Sequence, residues 1–201
     1  MAELILLRHG QSQWNLENRF TGWKDVPLSP KGTEEANHAG TKLKGHRIDY
    51  LFTSVLQRAI ETARLVCAVA GIASVPTERD AALNERMYGD LEGLNKAEAA
   101  KQWGDEQIKI WRRSYDTPPP NGESLADTAA RVIPYWEARI LPLLTGGQNV
   151  LIVAHGNSLR ALVMHLEGLT RAQVLELEIP TGCPLWFDLD ALGGVRSKRY
   201  L

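Results

Sequence analysis

The chain is poor in cysteine, with two among 201 residues. Cys67 falls in a helical pattern and Cys183 in a Thr-Gly-Cys-Pro turn, so there is no CxxC pair, no zinc-ligand spacing and no disulfide framework. An excess of charge of either sign is also missing. Lys and Arg total 23 and Asp and Glu 24, for a formal net charge of −1. That argues against the strong basic field of a nucleic-acid binder, and any cationic function must come from local clustering. No segment approaches the ~20 apolar residues of a membrane span. The apolar run after Met1-Ala2-Glu3 meets Arg8 too soon for a signal-peptide core, so a cytoplasmic protein without membrane or nucleic-acid partners is expected. With no internal repeat, low-complexity tract or long linker, residues 1–201 are expected to form one domain. The 44% of apolar residues suffices for one sizeable core.

What is present is an alternation of strand-like and helix-like segments, which predicts an α/β fold around a mostly parallel sheet. Leu4 to His9 reads as a buried strand. Ser29 caps a helix with Pro30 at its first position, running to about Lys44. Tyr50 to Thr53 is a short strand, Ser54 is expected to cap a helix through Ala70, and Ser74 to Thr77 is a weaker extended piece. Asn95 to Tyr115 reads as amphipathic helix. The Pro118-Pro119-Pro120 stretch breaks it, and Glu123 to Leu144 reads as one long helix kinked at Pro134. Asn149 to Ala154 is a second buried strand, followed by a helix from about Asn157 to Leu166. Leu185 to Leu189 and Ser197 to Tyr200 suggest an edge hairpin turning near Gly193-Gly194.

Two segments share one pattern: LLRHGQS and IVAHGNS each carry a buried apolar run into His-Gly and a small polar residue. Ligand crevices of open parallel α/β sheets lie beyond the carboxyl ends of the strands, so His9 and His155 are expected at one site. The glycine after each is expected to give a sharp turn close to a ligand. Other chemistries fit less well. His38, His46 and His165 fall on helices or a helix end without metal-ligand spacing. Gly156-Asn157-Ser158 follows a strand as a nucleophile elbow does, yet Arg160 stands where the elbow wants glycine. Gly40 and Gly45 have a phosphate-loop interval, but His46 occupies the lysine place. Arginine remains: Arg8 adjoins His9, and Arg58 follows the strand ending at Thr53. Guanidinium forks match phosphate oxygens, and neighbouring cations disfavour imidazolium, leaving His9 a neutral nucleophile at pH 7.

LLRHGQSQWN resembles the signature of the histidine phosphatase superfamily. TGWKDVPLSPKG, NERMYGDLEGLNK, WRRSYDTPPP and AHGNSLRAL together resemble its 2,3-bisphosphoglycerate-dependent phosphoglycerate mutase branch, over nearly the whole chain. The resemblance implies a three-layer α/β/α sandwich with a mostly parallel central sheet. It implies interconversion of 3-phosphoglycerate and 2-phosphoglycerate through a phosphohistidine, primed by 2,3-bisphosphoglycerate and needing no metal. By the same resemblance His9 accepts the phosphoryl group, Arg8, Arg58 and His155 surround it, and Glu85 gives and takes the proton. Substrate contacts are implied for Ser12, Asn15, Thr21, Gly22, Arg86 and Tyr88, and also for Lys96, Arg112, Arg113, Gly156 and Asn157. A homodimer or higher homo-oligomer is expected.

Charge arithmetic supports this assignment. Two phosphates of about −1.5 to −2 each plus a carboxylate need more cations than one phosphoryl pocket supplies, and Lys96, Arg112 and Arg113 would supply them. For Glu85, an anionic substrate raises the pKa while Arg86 lowers it, which leaves the net direction open. The link from Asp116 to Glu123 is short, and only Leu201 follows Tyr200; many relatives are longer at both places. A less covered pocket admits water, which would hydrolyse a phosphohistidine and add phosphatase activity. Two alternatives therefore stay open: a broad phosphomonoesterase, and a module that binds phosphoprotein without turning it over.

Overall fold

The run Leu4-Ile5-Leu6-Leu7 is apolar at every position because its strand is covered on both faces. In the computed structural model, which describes residues 2–201, that strand is β1 (Ala2–Arg8). It joins β2 (Tyr50–Thr53), β3 (Thr77–Arg79), β4 (Val150–Ala154), β5 (Leu185–Leu189) and β6 (Val195–Tyr200) in one sheet of order β3-β2-β4-β1-β5-β6. The pairs β3-β2, β2-β4 and β4-β1 are parallel; β5 runs antiparallel to β1, and β6 to β5. The two-residue period of a strand then sorts the core into two layers. Leu4, Leu6, Val150, Ile152 and Ala154 enter one hydrophobic cluster, and Ile5, Leu7, Leu151 and Val153 the other.

The helices, in chain order, are α1 (Gln13–Leu16), α2 (Pro30–Lys42), α3 (Gln57–Ala70), α4 (Lys96–Trp103), α5 (Asp105–Arg113), α6 (Leu125–Tyr135), α7 (Leu141–Thr145), α8 (Gly156–Glu167) and α9 (Arg171–Glu176). Helices α2 and α3 lie together on the Ile5 face, and α6 and α8 on the Leu4 face. The result is the expected three-layer α/β/α sandwich. A third, smaller cluster of Phe20, Leu91, Ala99, Ile108 and Trp111 lies apart from the sheet and ties α4 and α5 to the loops at its edge.

Several local expectations are corrected. Ser29 caps α2 as expected, its Oγ accepting from Gly32 N at 3.1 Å, but Ser54 caps nothing. Helix α3 starts three residues later, and its first amide, on Gln57, donates to Asp25 Oδ1 at 2.7 Å. The weak extended piece falls at Thr77–Arg79 rather than Ser74 to Thr77. Residues 95–115 form two helices, because Gly104 sits at φ +85° between them, a conformation that side chains resist. The long helix after Glu123 is not simply kinked. Pro134 and Pro142 each remove an amide donor, and the chain between them widens into a π-helical turn over Trp136–Ile140, with Trp136 and Ile140 buried.

Candidate active site

Because β1 and β4 are parallel neighbours with Arg8 opposite Ala154, His9 and His155 leave the sheet side by side. Their ring centroids lie 4.9 Å apart at an interplanar angle of 61°. Both rings are almost completely buried, at 3% and 0% exposure. His9 Nδ1 lies 2.6 Å from the carbonyl oxygen of Gly10. A carbonyl only accepts, so Nδ1 carries the proton and the lone pair is left on Nε2. Burial, then Arg58, then Arg8, holds the His9 pKa well below the usual histidine range. His155 is pushed down in the same direction, chiefly by burial and by Arg58. Both rings are therefore neutral at pH 7.

The expected reason for the two glycines is only partly met, since neither has a positive φ. A Cβ on Gly10 would fall 2.1 Å from the carbonyl oxygen of Gly32, so Gly10 is required by the close approach of α2. A Cβ on Gly156 would instead lie against the Arg8 guanidinium and Glu85, inside the crevice.

The crevice is a cavity of about 160 Å³ beyond the strand ends. Arg8 is anchored by Nη1 to the carbonyl of Ile179 at 2.9 Å, while its Nε is buried without a partner. Arg58, 1% exposed, is held by the carbonyls of Lys24 at 2.9 Å and Gly22 at 2.8 Å. Burial lowers its pKa to about 10, so it stays cationic at pH 7. Glu85 reaches in from the loop after β3. Its Oε1 accepts from the amide of Arg86 at 2.8 Å and from that of Asn157, in the first turn of α8, at 3.1 Å. Burial pushes its pKa up, but the Arg86 amide, Arg8, Arg58 and Asn157 outweigh burial and hold it below the usual carboxylate range. The protein's own groups thus favour the Glu85 carboxylate.

A second set of cations stands on the small third cluster. Lys96 begins α4, its Nζ over the Phe20 ring at 5.8 Å, and burial lowers its pKa. Arg112 and Arg113 end α5. Asn15, Thr21, Gly22, Tyr88, Gly156 and Asn157 also line the cavity.

Ser12, Arg86 and His155 do not line it, His155 being fully buried against the His9 ring. Ser12 is the buried cap of α1, its Oγ accepting from Asn15 N at 3.2 Å. Arg86 lies beneath the cavity and donates to the carbonyl of Trp111 at 3.0 Å and to the Tyr88 hydroxyl at 3.0 Å.

Other residues entered unannounced. Arg19, Arg160, Glu178 and Ile179 line the cavity, and Glu178 Oε1 accepts from both Arg113 at 3.0 Å and Arg160 at 3.3 Å. Arg131 and the Trp23 indole both donate to the Glu85 carbonyl, at 2.8 and 2.6 Å, and so fix the loop that carries it. Ser54 Oγ lies 2.7 Å from His155 Nε2. Its only sequence signal was a helix-capping pattern, and the structure uses the hydroxyl elsewhere. Among the described residues no group of His, Cys, Asp and Glu side chains is arranged to hold a metal ion.

Comparison with known proteins agrees with this geometry. The histidine phosphatase superfamily (branch 1) profile matches residues 4–197. A protein of Methylobacterium radiotolerans named 2,3-bisphosphoglycerate-dependent phosphoglycerate mutase is 56% identical over 200 residues, covering 98% of this chain and 94% of its own. The phosphoglycerate mutase of Schizosaccharomyces pombe is 52% identical over 200 residues, covering 98% and 95%. These relatives are thus nearly the same length as this chain. Among solved structures, Bacillus stearothermophilus YhfR superposes with a TM-score of 0.85 at 28% identity, covering 98% of this chain and 95% of that one. A mycobacterial glucosyl-3-phosphoglycerate phosphatase in complex with VO3 does so with a TM-score of 0.83 at 28% identity, covering 100% and 97%. A paired strand-end histidine site ringed by arginine, a profile match over almost the full length and relatives above 50% identity lead to one conclusion: the chain belongs to the histidine phosphatase superfamily and, within it, to the family of 2,3-bisphosphoglycerate-dependent phosphoglycerate mutases.

Proposed function

We propose that this protein interconverts 3-phosphoglycerate and 2-phosphoglycerate by carrying a phosphoryl group on His9 Nε2, with 2,3-bisphosphoglycerate as primer. The observation that carries this reading is the His9 ring: buried, neutral, with Nδ1–H on the Gly10 carbonyl and its remaining lone pair facing a pocket of arginines.

Starting from phosphorylated His9, the Glu85 carboxylate removes the proton from the free hydroxyl of 3-phosphoglycerate. That oxygen attacks phosphorus and the P–N bond breaks. The product is bisphosphoglycerate, with neutral His9 and protonated Glu85. In the second half His9 Nε2 attacks the other phosphorus, the P–O bond breaks, and the departing oxygen takes back the proton from Glu85. The enzyme returns to its starting state and the phosphate has changed position. The depressed pKa of Glu85 suits the first half, which needs the base. The bisphosphoglycerate formed between the halves adds negative charge to the crevice, which raises the Glu85 pKa and keeps the transferred proton on it for the second half.

Arg8, Arg58 and His155 are assigned to the phosphoryl oxygens in flight. Lys96, Arg112 and Arg113 are assigned to the end of the substrate that is not reacting. At an effective dielectric of ~20, unit charges ~4 Å apart attract by ~4 kcal/mol before desolvation is subtracted, so these cations oppose escape of the intermediate between half-reactions, with Arg113 sharing its charge with Glu178. Phosphatases share the fold at 28% identity, and the preference for mutase rests on relatives at twice that identity.

Dephosphorylated enzyme, treated with chelator and given 3-phosphoglycerate, should show sustained isomerisation only when 2,3-bisphosphoglycerate is added. Full activity without primer, activity restored only by a divalent metal, or release of inorganic phosphate alone would each refute the proposal.

A further inference from the structure

We infer that Ser54 is a positioning residue that locks His155 in the tautomer protonated at Nδ1, so that Nδ1 donates to a phosphoryl oxygen in the crevice. This deepens the mutase reading and rests on it for the identity of the acceptor.

Two proton placements are open between Ser54 and His155, and one of them uses the serine's hydroxyl proton. Its Oγ is fully buried and accepts from the backbone amide of Leu56 at 3.2 Å. Its other neighbour is His155 Nε2, at 2.7 Å. If Nε2 carried the proton, the hydroxyl proton of Ser54 would have no acceptor and a buried donor would be lost, which is costly. If the hydroxyl donates to Nε2, its proton and a lone pair are both used and the imidazole proton must reside on Nδ1. That atom is itself buried without a protein partner.

The charged and titratable groups turned toward His155 are His9 and Arg8 from the β1 end, Arg58 from α3 and Arg131 from α6. The three arginines only donate. A bare lone pair on Nδ1 would repel a phosphoryl oxygen, whereas Nδ1–H binds it. The loop between β2 and α3 is thereby explained as well. The serine that fits a helix-capping pattern is freed from that task because Asp25 receives the first amide of α3.

The decisive experiment combines long-range 1H–15N spectra of the substrate-free enzyme, with His155 assigned by its loss in His155→Gln, and rapid-quench measurement of phosphohistidine formation from 2,3-bisphosphoglycerate. The expected wild-type spectrum shows His155 protonated at Nδ1 and unprotonated at Nε2. In Ser54→Ala the proton should distribute over both nitrogens, and the phosphorylation rate should fall about tenfold, as loss of one hydrogen bond implies. The dissociation constant for 3-phosphoglycerate should be unchanged, and Ser54→Thr should recover the rate. A wild-type His155 protonated at Nε2 would overturn the inference even if Ser54→Ala fails to fold. So would a folded Ser54→Ala with the wild-type spectrum or the wild-type rate. An enzyme with the expected tautomer that forms no phosphohistidine would instead overturn the mutase reading and the acceptor named here.

Discussion

Acidification should destabilise this protein well before its carboxylates titrate. His9 and His155 are held neutral in the fold, both with pKa values well below 6.5, whereas in the unfolded chain each titrates near ~6.5. Below that value the unfolded state binds more protons than the native state, so stability falls as pH falls, and the loss ends only when pH passes the folded pKa values. Integrated between pH 7.0 and 5.5, one such histidine costs about 1 kcal/mol and two about 2–3 kcal/mol. That is a substantial share of the ~5–15 kcal/mol typical of a native domain. Glu85 does not blur the window, because its pKa lies below 4.5 in the fold; its contribution is present above that value and lost only as pH falls through the lower folded one.

The assay is urea unfolding at pH 7.0 and 5.5 in buffers free of phosphate and sulfate, since anions bound in the arginine pocket would stabilise the native state by mass action. A double variant with His9→Asn and His155→Asn should lose less stability over the same interval, by about 2–3 kcal/mol. Equal losses in the two proteins would refute the claim that these rings are buried neutral.

Glu85→Gln keeps the shape of the carboxylate but removes proton transfer, so kcat should fall ~10²–10⁴-fold with substrate affinity little changed. A loss confined to affinity would make Glu85 a binding group. Arg113→Ala should lower mutase activity more than hydrolysis of a simple phosphate ester, because only the mutase must retain an intermediate between half-reactions; equal losses would point to damage elsewhere. Gly10→Ala places a Cβ 2.1 Å from the Gly32 carbonyl and should destabilise by about 1–3 kcal/mol in urea melts, and an unchanged midpoint would contradict the close approach of α2.

The frame of the site was legible because strands leave a plain record. The unbroken apolar runs before His9 and His155 meant strands covered on both faces, and parallel pairing of two such strands carries whatever follows them to one rim. Arg58 was legible for a related reason, sitting just beyond the end of β2. The parts that escaped notice are those set by long-range partners. Ser54 satisfies the capping rule locally, and nothing local signals a histidine 101 positions away. Arg160 sits on a helix face where a solvated arginine is ordinary, and Glu178 in a segment without periodicity; only the fold brings both to the cavity with Arg113. Residues 95–115 kept their amphipathic pattern through the break, so one positive φ at Gly104 was invisible in it.

The claim on which the account depends is that His9 itself carries the phosphoryl group during turnover. Rapid quench after mixing enzyme with 32P-labelled 2,3-bisphosphoglycerate, followed by peptide mapping under alkaline conditions, tests it directly. The account predicts acid-labile, base-stable label on the peptide containing His9, formed at least as fast as kcat, passed to 3-phosphoglycerate on chase, and absent from His9→Ala. Label on another residue, label formed more slowly than turnover, or isomerisation by His9→Ala would contradict it.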